Sequence, residues 1–73
     1  MTEPVDGQVA GTVTAFDDGR GRGIVTAADG RQYAFHATRI ADGTRRIAVG
    51  APVRFIVVPA TLGQWEASGI TRV

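Results

Sequence analysis

Residues 11–36 read GTVTAFDDGRGRGIVTAADGRQYAFH. Two clusters of turn-forming residues cut this stretch into three short runs rich in Val, Thr, Ile, Tyr and Phe. These residue types fit a pleated, half-buried strand. Asp17-Asp18-Gly19 is a turn by residue chemistry, because Asp can hydrogen-bond its own backbone and Gly accepts a positive φ. Asp29-Gly30 is a hairpin signal of the type I′ kind, which needs φ > 0 at both central residues. The spacing predicts strands over residues 8–16, 22–27 and 32–36. Alternation puts Val9, Gly11 and Val13 on one face of the first strand, and Ala10, Thr12 and Thr14 on the other. In the third strand Tyr33 and Phe35 share the inner face, as core, and Ala34 and His36 the outer.

The rest of the chain extends this pattern. Residues 37–49 lack strand alternation and read as a long loop, with a helical turn near 37–40 and Ile40, Ile47 and Val49 tucked beneath it. Residues 52–58 form a fourth strand with Val53, Phe55 and Val57 facing in. Its outer face, with Arg54, Ile56 and Val58, is unusually apolar. Pro59 ends the pairing, Gly63 sits in the last turn, and a fifth strand covers residues 65–72. Five short strands with a long connection between the third and fourth predict an all-β fold. The expected architecture is a five-stranded antiparallel barrel of the oligonucleotide-binding (OB) type.

Length and composition bound the function. The chain has 73 residues, enough for one domain. Residues 1–7 read as a flexible lead-in and 8–73 as the barrel. With no cysteine, neither a disulfide framework nor a zinc-thiolate site is available, which fits a reducing cytoplasm. No apolar run approaches the roughly 20 residues of a membrane span. The opening MTEPVDGQ is acidic and lacks the apolar run of a signal peptide. The expected location is therefore cytoplasmic.

Net charge is +1, from 8 basic and 7 acidic residues, so there is no bulk basic signal for nucleic acid. Every basic residue is an arginine. A GC-rich bacterial genome accounts for that bias. Arginine forks also suit phosphates and stack on bases. Both readings hold together.

The order of motifs resembles the cold-shock domain, over nearly the whole chain from Gly11 onward. That family opens Gly-x-Val-Lys-Trp-Phe-Asn, and Gly11-Thr12-Val13-Thr14-Ala15-Phe16-Asp17 is similar. Its first ribonucleoprotein motif, Lys-Gly-Phe-Gly-Phe-Ile, resembles Arg20-Gly21-Arg22-Gly23-Ile24-Val25. Its second, Val-Phe-Val-His-Phe, resembles Tyr33-Ala34-Phe35-His36-Ala37. The later segment Gly-x-x-Val-x-Phe-x-Val fits residues 50–57. The resemblance implies a single-stranded RNA or DNA binder with RNA-chaperone or transcription- or translation-regulating activity. It implies no cofactor.

The departures fall on one face. Ala15 stands where the family has its Trp, Arg22 and Ile24 where it has the first motif's two Phe. Ala34 and Ala37 stand where the second motif has Phe. Only Phe16 and His36 keep family stacking positions. Base-on-aromatic stacking contributes roughly 1–3 kcal/mol per base. The expected binding is therefore weak to moderate and salt-dependent, carried by Arg20, Arg22 and nearby backbone. The expected face is Phe16, Arg20, Arg22, Ile24 and His36, edged by Thr14, Ala34 and Arg39. Phe16 and His36 stack, while Arg20 and Arg22 hold phosphate or stack.

Plainer readings stand beside these. Gly19-Arg20-Gly21-Arg22-Gly23 is also what a curved barrel strand needs where the backbone bends. It is not a dinucleotide-binding loop, because a strand and not a helix follows. His36 has no second His or any Cys to complete a typical transition-metal site. No nucleophile-base constellation is visible, so no enzyme is expected. Trp65 lies outside the family's stacking set and reads as core or rim packing, with a replacement platform or a cap on the barrel end as the alternatives. The alternative function is a barrel that has left nucleic acid for a protein partner or a homodimer. Ile24, Ala15 and Ala34 would then form one apolar patch, and Ile56 with Val58 a second.

Overall fold

The computed structural model describes residues 7–73. The expected lead-in at 1–7 lies outside the described residues but for Gly7. The five strands are β1 (Val9–Asp17), β2 (Arg22–Ala27), β3 (Gln32–His36), β4 (Pro52–Pro59) and β5 (Trp65–Arg72). Each lies within one residue of its expected bounds. They close into an OB-type barrel in the order β1-β2-β3-β5-β4.

The barrel is mixed, where an antiparallel one was expected. β1–β2, β2–β3, β1–β4 and β4–β5 are antiparallel, but β3 and β5 run parallel through Ala34 and Glu66. The reason is parity. A closed ring of five strands cannot alternate direction all the way round, so one seam must be parallel. That seam is short, with Ile40 and Ile70 adding one further parallel bridge.

The core follows the alternation. Val13, Val25, Phe35, Val53, Phe55, Ala67 and Ile70 are buried on the inner face. Ile40 and Ile47 close one end from the long loop, as expected. A 3-10 turn, Ala37–Arg39, opens that loop. Val49 departs from expectation, being 61% exposed. At this turn the backbone meets the barrel. The Gly50 N–H donates to the Val13 carbonyl (2.7 Å), and the Val13 N–H to the Ala51 carbonyl (3.0 Å).

Two local details differ from the sequence reading. The β2–β3 hairpin forms, but only Gly30 has positive φ, at 90°, so the turn is not type I′. The Gly30 N–H donates to the Ala27 carbonyl (2.9 Å) and the Ala27 N–H to the Arg31 carbonyl (2.7 Å). A type I-like turn followed by one left-handed glycine gives this longer loop. The Asp29 carboxylate fixes it by accepting the Arg31 N–H at 3.0 Å. In the first hairpin the positive φ falls on Gly21 and not Gly19. Asp17 acts there as expected, its carboxylate accepting the Arg20 N–H at 3.2 Å.

The second detail is a β-bulge. Val13 pairs with Val25 and Ala15 with Ile24, so Thr14 is an extra residue in β1. A bulge reverses the alternation beyond it. Thr14 and Ala15 both face outward, and Phe16 turns inward and is half-buried. Simple alternation would have left Phe16 on the outer face beside Thr12 and Thr14.

Candidate nucleic-acid interface

The outer faces of β2 and β3 carry the residues that the sequence singles out. Arg22 is the cross-strand partner of His36, and Ile24 that of Ala34. All four side chains are exposed. Among the described residues, Arg22 has no carboxylate within the 4.0 Å of an ion pair, nor do Arg39, Arg45 and Arg54. Arg22 therefore has no ion-pair partner among the described residues, and it stands at the end of the sheet face where β2 begins, with Asp17 as its cross-strand neighbour on β1.

A shallow groove of about 410 Å³ gathers Phe16, Arg22, Ile24 and Ala34 with Ala15, Asp17 and Gly23. Phe16 lies at its edge with one ring face against Phe35, centroids 6.0 Å apart and planes within 17°. The bulge thus makes Phe16 part of the barrel's packing, and only its outer side is open to the groove. Phe16 is therefore half-buried against Phe35, with part of its ring lining the groove.

The remaining expected residues lie around this groove. His36 stands beside Arg22, with Nε2 4.0 Å from a Glu66 carboxylate oxygen of β5. That contact is an ion pair only when the imidazole is protonated. The Thr14 hydroxyl is 3.0 Å from that of Thr26 and within 3.4 Å of the Ile24 carbonyl. Arg20 is on the β1–β2 turn with its guanidinium 3.8 Å from Asp17. Exposed pairs of this kind contribute little, about 0–1 kcal/mol, so Arg20 is only loosely held. Arg39 is exposed on the 3-10 turn. Neither Arg20 nor Arg39 lines the groove.

Trp65 is the residue that sequence reasoning misplaced. It is 57% exposed and stands outside the core cluster. It lines a larger groove of about 810 Å³ with Arg31, Gln32, Tyr33, Ala34, Val57 and Gln64. This groove opens where β3 and β5 diverge below their single paired register, Ala34–Glu66. Tyr33 is half-buried there, tilted against Phe55 at a centroid distance of 5.8 Å. The available signal was position. A residue that opens a strand has no preceding turn of sheet to cover it, whatever its parity.

Among the described residues no three His, Cys, Asp or Glu side chains cluster as metal ligands. No helix among them is long and apolar enough to cross a membrane. The fold defines a small closed barrel of the OB type with an arginine-bearing outer face. No protein-family model matches the chain, and no curated protein matches it.

Proposed function

We propose that this chain binds single-stranded nucleic acid through the outer face of β2 and β3, in the manner of a reduced cold-shock surface. One observation carries the reading. Arg22, free of any carboxylate partner among the described residues, sits opposite His36 and beside the groove of Phe16, Ile24 and Ala34. A guanidinium plane can stack on a base and also meet phosphate. Imidazole can stack as well, and the small Ala34 leaves a flat floor. Binding of this kind is modest and falls with added salt, because each neutralised phosphate releases counterions.

The direct test is fluorescence anisotropy of labelled DNA and RNA octamers at low and near-physiological salt. Saturable binding that weakens with salt is the expected result. Absence of binding to either octamer at low salt would remove the reading.

A second reading has one observation in its favour. Ile24, Ala15 and Ala34 come together in the same groove, so the face could take an apolar side chain of a partner protein. Concentration-dependent self-association without oligonucleotide binding would select it.

A further inference from the structure

The Trp65 groove is not part of the face described above, yet it is continuous with it. Ala34 lines both grooves. On one side of Ala34 lie Ile24, Arg22 and Phe16. On the other lie Tyr33, Gln32, Arg31 and, across the β3–β5 seam, Trp65. The residue at the crossing is alanine, with Ile24 of β2 and the half-buried Glu66 of β5 as its cross-strand neighbours.

The backbone that leads into Trp65 is ordered by a turn. The preceding turn, Thr61–Gly63, is closed by the Ala60 N–H donating to the Gln64 carbonyl at 2.7 Å. Leu62 at its tip takes a left-handed conformation (φ 59°, ψ 35°) and is 97% exposed. A non-glycine residue in that region is strained, and such strain persists where the surroundings demand it. The turn thus fixes the backbone at the first residue of β5, from which a largely exposed indole projects.

The lining defines the ligand. Trp65 offers an open ring and Gln64 an amide that matches base edges, while the Gln32 amide lies 3.5 Å from the Thr26 hydroxyl and the Arg31 guanidinium is held only by an exposed contact with Asp29 at 3.7 Å. Aromatic planes combined with amide and arginine donors are the chemistry of unpaired bases on a phosphate backbone. Resting on the proposed single-strand function, we infer that the Trp65 groove is a second base-stacking subsite. A strand that starts at Arg22 and His36 crosses Ala34 diagonally and places a later base on Trp65. Strand geometry puts the two ends roughly 14 Å apart. That span corresponds to about four steps, or about five nucleotides, at a stacked rise of roughly 3.4 Å.

Trp65 is the only tryptophan in the chain, so its emission reports this subsite alone. The experiment titrates wild type with octathymidylate and octauridylate at low salt, following label anisotropy and tryptophan emission together. Trp65→Ala and Trp65→Phe are titrated by anisotropy. The expected result is emission quenching with the same midpoint as the anisotropy change. Trp65→Ala should bind about 5-fold or more weakly, and Trp65→Phe should recover most of the loss. Saturating anisotropy with unmoved emission and a Trp65→Ala variant that binds like wild type would overturn the subsite. The single-strand function would survive that result. No anisotropy change with either oligonucleotide would overturn the function and the subsite with it. An emission shift that follows protein concentration alone would assign the groove to a second copy of the chain and overturn the proposal.

Discussion

Gly23 lies directly beneath the ring of Phe35. A Cβ built on Gly23 would stand 2.5 Å from Cζ of Phe35 and 2.7 Å from the Ala15 carbonyl oxygen. Phe35 is 1% exposed and is also stacked on Phe16, so its ring cannot swing clear. The backbone of β1 blocks the other direction. Gly23→Ala should therefore destabilise the barrel by about 1–3 kcal/mol through overpacking. Urea unfolding of wild type and variant checks this. An unchanged midpoint would mean that the approach of Gly23 to Phe35 is looser than described. The same geometry explains part of the Gly19–Gly23 pattern: one of its glycines is there to admit a core ring.

The long loop is tied down from the far end of the chain. The Arg72 guanidinium donates to the Arg46 carbonyl at 2.6 Å and to the Thr44 hydroxyl at 3.3 Å. It also pairs with Asp42. Arg72→Ala removes all three contacts. Hydrogen bonds to a charged group contribute about 1.5–3 kcal/mol, but these are exposed, so a loss of about 1 kcal/mol is expected. The more sensitive readout is limited trypsin digestion followed by mass spectrometry. Cleavage after Arg45 and Arg46 should be several-fold faster in the variant. Equal cleavage rates would show that buried Ile40 and Ile47 anchor the loop without help.

Leu62 and Arg45 are the two described non-glycine residues with positive φ, both at 59°. The left-handed conformation costs an L-residue about 1–2 kcal/mol, of which glycine's greater chain entropy returns roughly half. Leu62→Gly should thus stabilise the barrel by about 0.5–1 kcal/mol, since an almost fully exposed leucine has little packing to lose. Thermal and urea unfolding measure it. A destabilised variant would show that the Leu62 side chain makes contacts that its exposure hides.

The proposed interface has its own electrostatic signature. For single strands the logarithm of affinity falls with the logarithm of salt by about 0.7 per phosphate neutralised. Arg22→Ala should weaken octamer binding at low salt and flatten that slope by about 0.7. Arg20→Ala should change both less, because Arg20 sits outside the groove and faces Asp17. Equal effects from the two variants would move the phosphate contact from the sheet to the turn.

Much of this molecule was legible in its sequence, for identifiable reasons. The strands were readable because most of their inner positions are apolar and alternate, interrupted at the β1 bulge and at the register shift of β5 opposite Arg54–Ile56, and their ends are marked by Asp, Gly and Pro. What was not readable depends on contacts between distant segments. The β1 bulge was hidden because Thr14-Ala15-Phe16 continues the alternation without a break; only pairing with Val25 and Ile24 exposes the extra residue. The turn at Asp29-Gly30 has the composition of a type I′ loop but takes a longer form. The parallel seam follows from ring closure, which no local pattern records. At the site, the Arg22–His36 and Ile24–Ala34 pairs followed from strand register and were foreseeable. The exposure of Trp65 was legible only in its place at the head of a strand, and its extent depends on how β3 and β5 separate.

Ala34 is the point where the two grooves meet, and it supplies the sharpest test of a continuous track. Its side chain is exposed on the middle of β3, between Ile24 on one strand and Glu66 on the other. Phenylalanine suits an exposed strand position, so Ala34→Phe should fold. It would add a stacking ring midway between Arg22 and Trp65. If a single strand crosses here, each ring added to its path contributes roughly 1–3 kcal/mol, and octamer affinity should rise about 5-fold or more. If the face instead receives a protein side chain in the groove of Ile24, Ala15 and Ala34, the same ring fills that groove and weakens self-association. Anisotropy with octathymidylate and sedimentation of the free protein read the two outcomes separately. A variant that folds yet binds the octamer no better than wild type would show that the strand does not pass over Ala34.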